Sequence, residues 1–259
     1  MKMLSNEKIM HYLDNPDIKI FTFESVGSTN DEARRRMTEG LCTPAVFAAE
    51  EQTAGRGRKG HTFFSPSSGL YYTLVTFPED EQSAVSRMTV AAAVALREAV
   101  LACSGIPCDI KWVNDLYVNG RKVAGILCEA PRNSRGELMG IITGIGINIF
   151  TEEFPEEIRN TAGSLNCPDL DRNILTAELT NRLMYWSRRL DDPELINAYR
   201  SYSFLTGRTV SFHLNGRIIT GKAVDINDDG NLIVRADREY ILSSGEVSLA
   251  SWDTQPSES

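Results

Sequence analysis

The order of strand and helix patterns along the chain constrains its fold more than any other feature. Up to about residue 202, strand patterns alternate irregularly with a few helices, and from Gly207 onward only short strand patterns remain. A doubly wound fold needs regular strand–helix alternation, so that class is excluded. We therefore predict an α+β fold, with a mixed, largely antiparallel sheet and helices in residues 1–204. Residues 205–259 are predicted to form a small SH3-like β-barrel with a frayed tail.

Hydrophobic periodicity predicts the individual elements of the larger unit. Strands are predicted at 18–26, 45–50, 70–77, 109–113 and 138–150, and helices at about 28–40, 83–104, 172–190 and 193–202. Asn119-Gly120 is the preferred dipeptide of a type I′ turn, and it separates apolar strand patterns at 116–118 and 122–129. The pair therefore predicts a hairpin.

Charge and composition exclude several classes of function. The chain has 35 acidic and 27 basic residues and a net charge of −8, which makes it a poor general binder of nucleic acid or anionic membranes. Residues 1–17 are polar and charged, unlike a signal peptide, and no apolar run is long enough to cross a bilayer. We expect a cytoplasmic protein with no DNA partner and no membrane partner.

A glycine-rich loop carries the most basic stretch of the chain. Residues 55–60 read Gly-Arg-Gly-Arg-Lys-Gly, which fits the GxGxxG pattern of dinucleotide-binding proteins. That fingerprint requires a helix directly afterwards, and residues 61–66, His-Thr-Phe-Phe-Ser-Pro, cannot form one. What remains is a mobile loop whose cations could bind a carboxylate or a phosphate and close over it. The alternative is a solvated basic loop.

Two further polar groups follow predicted strands. Lys111, Asn114 and Asp115 place a cation, an amide and a carboxylate at a strand end, a set that can meet a nucleotide phosphate and its Mg²⁺. The alternative is a polar turn. Lys122 opens an apolar strand beyond the hairpin, where it is either a site cation or a cation at the strand edge.

The strand that ends at Asn148 contains Gly144 and Gly146, and strand glycines often mark the close approach of a ligand or another backbone. The chain has no supported catalytic triad, no GxxxxGK[ST] phosphate loop, no CxxC pair and no His/Cys/Asp cluster with metal-ligand spacing. We therefore expect no metal held by the protein alone. The site chemistry would rest on cations and amides, which suits phosphoryl-group chemistry.

Four blocks, in this order and spacing, are more specific than any one alone: Ser28-Thr29-Asn30, residues 51–58 (Glu-Gln-Thr-Ala-Gly-Arg-Gly-Arg), residues 111–116 (Lys-Trp-Val-Asn-Asp-Leu) and residues 122–127 (Lys-Val-Ala-Gly-Ile-Leu). Together they resemble the biotin–protein ligases, or biotin–[acetyl-CoA-carboxylase] ligases, over about residues 20–249. The resemblance implies a class II synthetase-like catalytic domain and a small C-terminal domain. About twenty residues precede the first core strand, so it implies a short form without the N-terminal DNA-binding domain.

The resemblance also implies an activity. Biotin and MgATP would give biotinyl-5′-AMP and pyrophosphate, and a lysine of a biotin carboxyl carrier protein would then take the biotinyl group. Biotin, ATP and Mg²⁺ would be the small-molecule substrates and cofactor, and the carrier would be the protein partner. A lipoate ligase or lipoyl transferase and a biotin-sensing regulator remain alternatives, and a homodimer remains open.

Residue roles follow from the same resemblance. Catalysis would fall to Lys122, Arg56 and Arg58. Biotin would be bound by Ser28, Thr29, Asn30, Gln52, Gly55, Arg56, Gly57, Arg58, Lys122 and Gly125. ATP would be bound by Lys111, Asn114, Asp115 and Asn148. Val113 stands where the family usually has proline, and residues 160–163 lack the tryptophan that some relatives carry there.

Overall fold

The computed structural model describes residues 2–78, 84–245 and 247–249. The helices are α1 (Asn6–His11), α2 (Thr29–Thr38), α3 (Ala84–Ser104), α4 (Arg172–Ser187) and α5 (Pro193–Tyr202). The strands are β1 (Lys19–Val26), β2 (Ala45–Gln52), β3 (Gly69–Thr76), β4 (Asp109–Lys111), β5 (Asp115–Val118), β6 (Arg121–Glu129), β7 (Ile141–Asn148), β8 (Thr209–Leu214), β9 (Arg217–Ile226), β10 (Leu232–Arg235), β11 (Glu239–Leu242) and β12 (Val247–Leu249).

Strands β1 to β7 form one mixed sheet, in the order β1-β2-β3-β7-β6-β5-β4. Only the β1–β2 pair is parallel among these neighbours, and the other five pairs are antiparallel. The largely antiparallel sheet predicted for this unit is therefore confirmed.

Helices cover the two faces of this sheet unequally. On one face α3 packs against β4 to β7 and α4 against β3, and Tyr72 meets Thr180 of α4 through their hydroxyls at 3.1 Å. On the other face α2 packs against β2, β3 and β7 through a small apolar cluster that includes Ala33, Met37 and Val75. Helix α2 packs against only part of this face, and residues of β6 and β7 beside it line a cavity.

Turn and cap residues explain where several elements begin and end. Asn119 and Gly120 have φ values of 50° and 74°, as a type I′ turn requires, and they join β5 to β6. The carboxylate of Asp171 accepts a hydrogen bond from the N–H of Asn173 and caps α4, and Asp192 caps α5, whose first residue is Pro193. These signals are local, which is why the sequence predicts these elements well.

A second sheet, antiparallel throughout, follows α5 in the order β11-β10-β9-β8-β12. This confirms the small all-β unit at the C-terminal end. Val210, Ala223 and Leu232 of this sheet belong to the same apolar core as α3 and β6, so the two sheets are packed together. The boundary at residue 204/205 stays a prediction, and the predicted frayed tail lies outside the described residues.

Several elements differ from the sequence-based expectation. Strand β7, for example, spans Ile141–Asn148 rather than 138–150. Helix α1 was not predicted, because it has six residues and buries only Ile9, against Ile20 and Ala177. Strand β4 ends at Lys111 rather than residue 113, since the chain turns there to pair with β5. Helix α4 ends at Ser187 rather than residue 190. Within the described residues, none of the helices combines the length and the apolar character needed to cross a bilayer.

Candidate active site

A cavity of about 520 Å³ lies on the α2 side of the large sheet. Its walls come from the start of α2, the end of β2, the loop 56–63, and strands β6 and β7. The turn between β4 and β5 forms the opposite end, together with residues of the C-terminal sheet. The four sequence blocks therefore meet around one opening.

One end of the cavity is a chain of neutral hydrogen bonds. The N–H and the hydroxyl of Thr29 both donate to Oε1 of Gln52, at 2.9 and 3.1 Å. The Gln52 amide then donates to the hydroxyl of Ser65 at 3.2 Å, which donates to the carbonyl of Phe63 at 2.8 Å. This chain ties the start of α2 to the base of the glycine-rich loop.

Asn30 extends the same neutral end toward the centre of the sheet. The hydroxyl of Thr73 lies 2.7 Å from Oδ1 of Asn30 and 2.8 Å from the hydroxyl of Thr29, and it shares its proton between these acceptors. Asn30 rests directly on Gly144, where a Cβ would lie 2.1 Å from Oδ1. Gly144 is therefore needed because the side chain of Asn30 approaches the strand. The close approach that this glycine allows is by a protein group and not by a ligand.

Phe63 makes the second close approach. A Cβ at Gly146 would lie 2.4 Å from its ring, and one at Gly125 would lie 3.3 Å from the ring and 3.0 Å from Cε of Lys122. The phenyl group therefore lies over both strands and forms an apolar wall between the neutral end and Lys122.

The other end of the cavity is charged. Nζ of Lys122 lies 2.6 Å from Oδ1 of Asp115, and the side chains are 32% and 20% exposed. The contact lies outside hydrogen-bond angles, so among the described residues Oδ1 is a buried acceptor without a hydrogen bond. Arg58 donates to Oδ1 of Asn114 at 3.1 Å, while the Asn114 amide donates to the carbonyl of Ile126 at 2.8 Å. Asn114 therefore links Arg58 of the loop to the backbone of β6.

Lys111 and Trp112 complete this basic end. Nζ of Lys111 lies 3.5 Å from the hydroxyl of Tyr117 and 5.3 Å from the centre of its ring. Burial raises the pKa of Tyr117, so the phenol stays neutral at physiological pH. The Trp112–Val113 peptide bond is cis, and the indole N–H of Trp112 donates to the carbonyl of Gly230, in the turn between β9 and β10 of the C-terminal unit, at 2.9 Å. Gly245, Val247 and Ser248 of the same unit also line the cavity.

The sequence predicted a mobile glycine-rich loop, but in the structure ion pairs and backbone hydrogen bonds hold this loop. The sequence shows no acidic partner close to its cations, yet Arg56 lies 2.6 Å from Asp31 and 3.2 Å from Glu129. Its backbone is joined by hydrogen bonds from Phe63 N–H to Gly55 O, at 3.0 Å, and from Gly57 N–H to the carbonyl of residue 61, at 2.6 Å. The acidic partners come from α2 and β6, which are distant in sequence, so the spacing could not reveal them.

Twelve of the fourteen residues predicted for the site line this cavity, and Gly55 and Asn148 do not. A Cβ at Gly55 would lie 2.4 Å from the hydroxyl of Ser65, so this glycine serves the packing of the loop. Asn148 is buried, and its amide donates to the carbonyl of Gly163 at 2.9 Å. Its Oδ1 has no hydrogen-bond partner among the described residues. The individual roles of all fourteen residues stay predictions.

Sequence reasoning missed Phe63, Thr73, Trp112 and Glu129. Thr73 alternates with buried apolar residues along β3, so only its sheet register shows that it faces α2. Trp112 lies inside a block that was recognised for its polar residues, and Phe63 lies in the stretch 61–66, which served only to reject the dinucleotide-binding fingerprint. Glu129 ends β6, and nothing near it in sequence marks the position.

Two family models match the chain. Residues 22–148 match the biotin/lipoate A/B protein ligase family, and residues 206–250 match the biotin protein ligase C terminal domain. The biotin–[acetyl-CoA-carboxylase] ligase of Mycobacterium tuberculosis is 31% identical over 236 residues, covering 85% of each chain. The chain belongs to the biotin protein ligase family.

Other relatives and solved structures agree with this assignment. The bifunctional ligase/repressor BirA of Bacillus spizizenii is 28% identical over 218 residues, which is 81% of this chain and 67% of the relative. The biotin protein ligase of Aquifex aeolicus, solved in complex with biotin and ATP, superposes with a TM-score of 0.76 at 27% identity, covering 89% of this chain and 98% of that one. Membership in the biotin protein ligase family makes the chain a ligase enzyme and confirms the predicted fold class.

Proposed function

We propose that this biotin protein ligase joins biotin to ATP, forming biotinyl-5′-AMP, and passes the biotinyl group to a lysine of a biotin carboxyl carrier protein. One observation carries the proposal: a neutral, hydrogen-bonded end and a basic end, formed by different parts of the chain, line a single cavity. The names of the relatives support the reaction, since the Mycobacterium tuberculosis enzyme is an acetyl-CoA-carboxylase ligase and the Aquifex aeolicus structure holds biotin and ATP.

The neutral end suits the head group of biotin. Biotin is a small, mainly apolar acid with a polar ureido group, and such ligands need an apolar pocket with a few well-placed polar anchors. Ser28 is buried at this end, and its hydroxyl makes no capping hydrogen bond to α2. The hydroxyl can therefore form a hydrogen bond with a ligand. Thr29 and Gln52 are already oriented by each other, which lowers the entropy cost of holding the ring.

The basic end suits the reacting groups. In the first step a biotin carboxylate oxygen attacks the α-phosphorus of ATP, a new P–O bond forms, and pyrophosphate leaves with the electron pair of the broken P–O bond. Both reactants are anions, so their repulsion must be neutralised in the transition state. Lys122 and Arg58 would do this, because each now contacts a side chain, Asp115 or Asn114, that a substrate oxygen can replace.

Magnesium would enter with the nucleotide. Among the described residues no three His, Cys, Asp or Glu side chains come together in a way that could hold a metal ion. Mg²⁺ is commonly bound by one or two carboxylates together with substrate phosphates, and it prefers oxygen ligands. Asp115 lines the cavity, and its buried Oδ1, which Lys122 contacts without making a hydrogen bond, fits that donor set. Bound there, the ion would neutralise phosphate charge.

In the second step the ε-amine of the carrier lysine attacks the acyl carbon of biotinyl-5′-AMP. An amide bond forms, the acyl–phosphate bond breaks, AMP leaves, and the amine proton goes to solvent. The mixed anhydride is prone to hydrolysis, so the site must exclude water. The loop 55–60 and Phe63 would provide that cover.

Biotin is favoured over lipoate by the C-terminal unit. The family model matching residues 22–148 is described as covering both biotin and lipoate ligases, whereas the one matching residues 206–250 is described as the C terminal domain of biotin protein ligase. The cytoplasmic location, the absence of DNA binding and the carrier as the protein partner stay predictions of the same proposal, and a homodimer remains open.

Transfer of labelled biotin to a carrier domain tests the proposal. We expect label on the carrier only when ATP is present, release of one pyrophosphate per biotin, and no transfer of labelled lipoate. A carrier domain with its acceptor lysine changed to arginine is the control. Transfer without ATP, or equal transfer of lipoate, would contradict the assignment.

A further inference from the structure

Glu129, at the end of β6, is a carboxylate shared by three elements. Its Oε2 accepts a hydrogen bond from the Asn30 amide at 2.8 Å and another from Arg56 at 3.2 Å. Its Oε1 accepts from Arg34 at 2.7 Å. The side chain is 20% exposed, so these bonds are screened less than those of a surface ion pair. One carboxylate thus joins the neutral end of the cavity to the glycine-rich loop.

The contact determines which way the Asn30 amide faces. A carboxylate has no proton to donate, so Glu129 holds the NH₂ group, and the Thr73 hydroxyl donates to the oxygen on the other side. The NH₂ group also donates to the carbonyl of Leu127, but at 3.5 Å this is the longer and weaker of its two hydrogen bonds. Gly144 lies directly beneath, where even a Cβ would overlap Oδ1. Without the carboxylate, nothing comparable would distinguish the two orientations of the amide.

The same carboxylate holds the loop. Arg56 has a second acidic partner, Asp31, whose side chain is 54% exposed and therefore a weaker anchor. Glu129 is the less exposed of the two partners and is fixed at a strand end. It places Arg56 beside Asn30, since both donate to Oε2.

We propose that Glu129 is a positioning residue that couples the biotin end of the site to the loop 55–60. Its carboxylate orients Asn30 toward the biotin head group and anchors Arg56, so that part of the loop is ordered before the nucleotide binds. This inference rests on the proposed function, because it assigns the neutral end to biotin. Glu129 acts through Asn30 and Arg56 and touches no substrate itself.

The Glu129→Gln variant tests the coupling, since it keeps the size of the side chain and removes its charge. Charge-assisted hydrogen bonds are worth roughly 1.5–3 kcal/mol, so we expect biotin affinity, measured by calorimetry without nucleotide, to fall about tenfold or more. The KM for ATP should stay within about twofold. Trypsin cleavage after Arg56 in the ligand-free protein, followed by mass spectrometry, should become several times faster.

Arg34→Met is the matched control, because it removes the third partner of Glu129 without touching Asn30 or Arg56. It should change biotin affinity and loop cleavage less than about twofold. Glu129→Asp should recover part of the affinity. Thermal midpoints of all variants would show whether the fold is intact.

Two results would overturn the inference: unchanged biotin affinity and unchanged cleavage in Glu129→Gln, or an equal loss of biotin and ATP affinity with a lowered thermal midpoint. The second result would assign Glu129 a merely structural role. Failure of the proposed function would look different, because the unmodified protein would then bind no biotin. The cleavage assay on Glu129→Gln would still test whether the carboxylate holds the loop.

Discussion

The two ends of the cavity are built on different physical principles. At the neutral end, which the proposed function assigns to biotin, Thr29 and Asn30 are 3% and 5% exposed and are held by hydrogen bonds to other protein groups, all between neutral groups except the one from Asn30 to the Glu129 carboxylate. At the basic end, Lys122 and Asp115 are partly exposed, and their contact is a charge pair with poor hydrogen-bond angles. The first arrangement is complete before a ligand arrives, and the second is held by contacts that a substrate can replace.

This difference predicts that the two ends affect different quantities, one the affinity for biotin and the other the rate of adenylation. A preorganised neutral network favours one ligand shape, because mismatched groups would leave buried polar atoms without partners. Cations that lie close to the reacting oxygens stabilise the negative charge that accumulates in the transition state. Changes at the biotin end should therefore weaken biotin affinity, whereas changes at the basic end should slow adenylation.

The largest effect is expected from Lys122→Ala. Removing a donor aimed at developing charge costs about 10²–10³ in rate, so pyrophosphate release should fall by that factor while biotin affinity stays within a few-fold. Arg121→Met, the neighbouring cation on β6 whose guanidinium donates to the carbonyl of Arg159, is the control and should leave the rate nearly unchanged. If Lys122→Ala forms biotinyl-5′-AMP at a normal rate, the basic end does not carry the chemistry.

Gly144→Ala should have a smaller effect, and this effect should be on biotin affinity rather than on the rate. The added methyl group would lie 2.1 Å from Oδ1 of Asn30, and overpacking of this sort costs roughly 1–3 kcal/mol. Biotin affinity should fall about tenfold, and the rate at saturating biotin should change little. Gly27→Ala is the control, because a Cβ there has no neighbour within 4 Å. A slower rate with normal biotin affinity would remove the distinction between the two ends.

Reasoning from the residues alone pointed to the basic end, whereas the residues of the neutral end were assigned to the site only through the family resemblance. Lys111, Asn114, Asp115 and Lys122 lie within twelve residues around one hairpin, so local turn chemistry is enough to bring them together. The neutral end is assembled from α2, β2 and β3, and contacts such as Thr73 to Asn30 depend on sheet register that periodicity does not reveal. Single residues with no local signal, such as Glu129, are found only from the fold.

The same limit applies to the fold. Asn119-Gly120 identified the β5–β6 hairpin, and the strands with strong alternation were predicted within a few residues. Helix α1 was missed because Ile9 alone is buried among its six residues, which leaves no periodic signal. Likewise, no sequence pattern indicated that the C-terminal unit would reach the cavity through Gly245, Val247 and Ser248.

The smallest effect we predict concerns that C-terminal sheet. Trp112→Phe keeps an aromatic ring but removes the indole N–H, which donates to the carbonyl of Gly230. Losing one buried hydrogen bond costs about 0.5–1.5 kcal/mol, with up to about 3 kcal/mol if the carbonyl is left without a partner. Because Val247 and Ser248 line the same end of the cavity as Lys111, a shift of the sheet should raise the KM for ATP three- to tenfold. Biotin affinity should not change.

Trp186→Phe provides a matched comparison, because it also removes an indole hydrogen bond, to Glu98 at 3.2 Å, far from the cavity lining. Both variants should lower the thermal midpoint by a few degrees, but only Trp112→Phe should raise the KM for ATP. Equal effects of the two variants on ATP would mean that the loss follows general destabilisation. A fall in biotin affinity for Trp112→Phe would mean that the C-terminal sheet supports both ends, and that the division between them is less sharp than their contacts indicate.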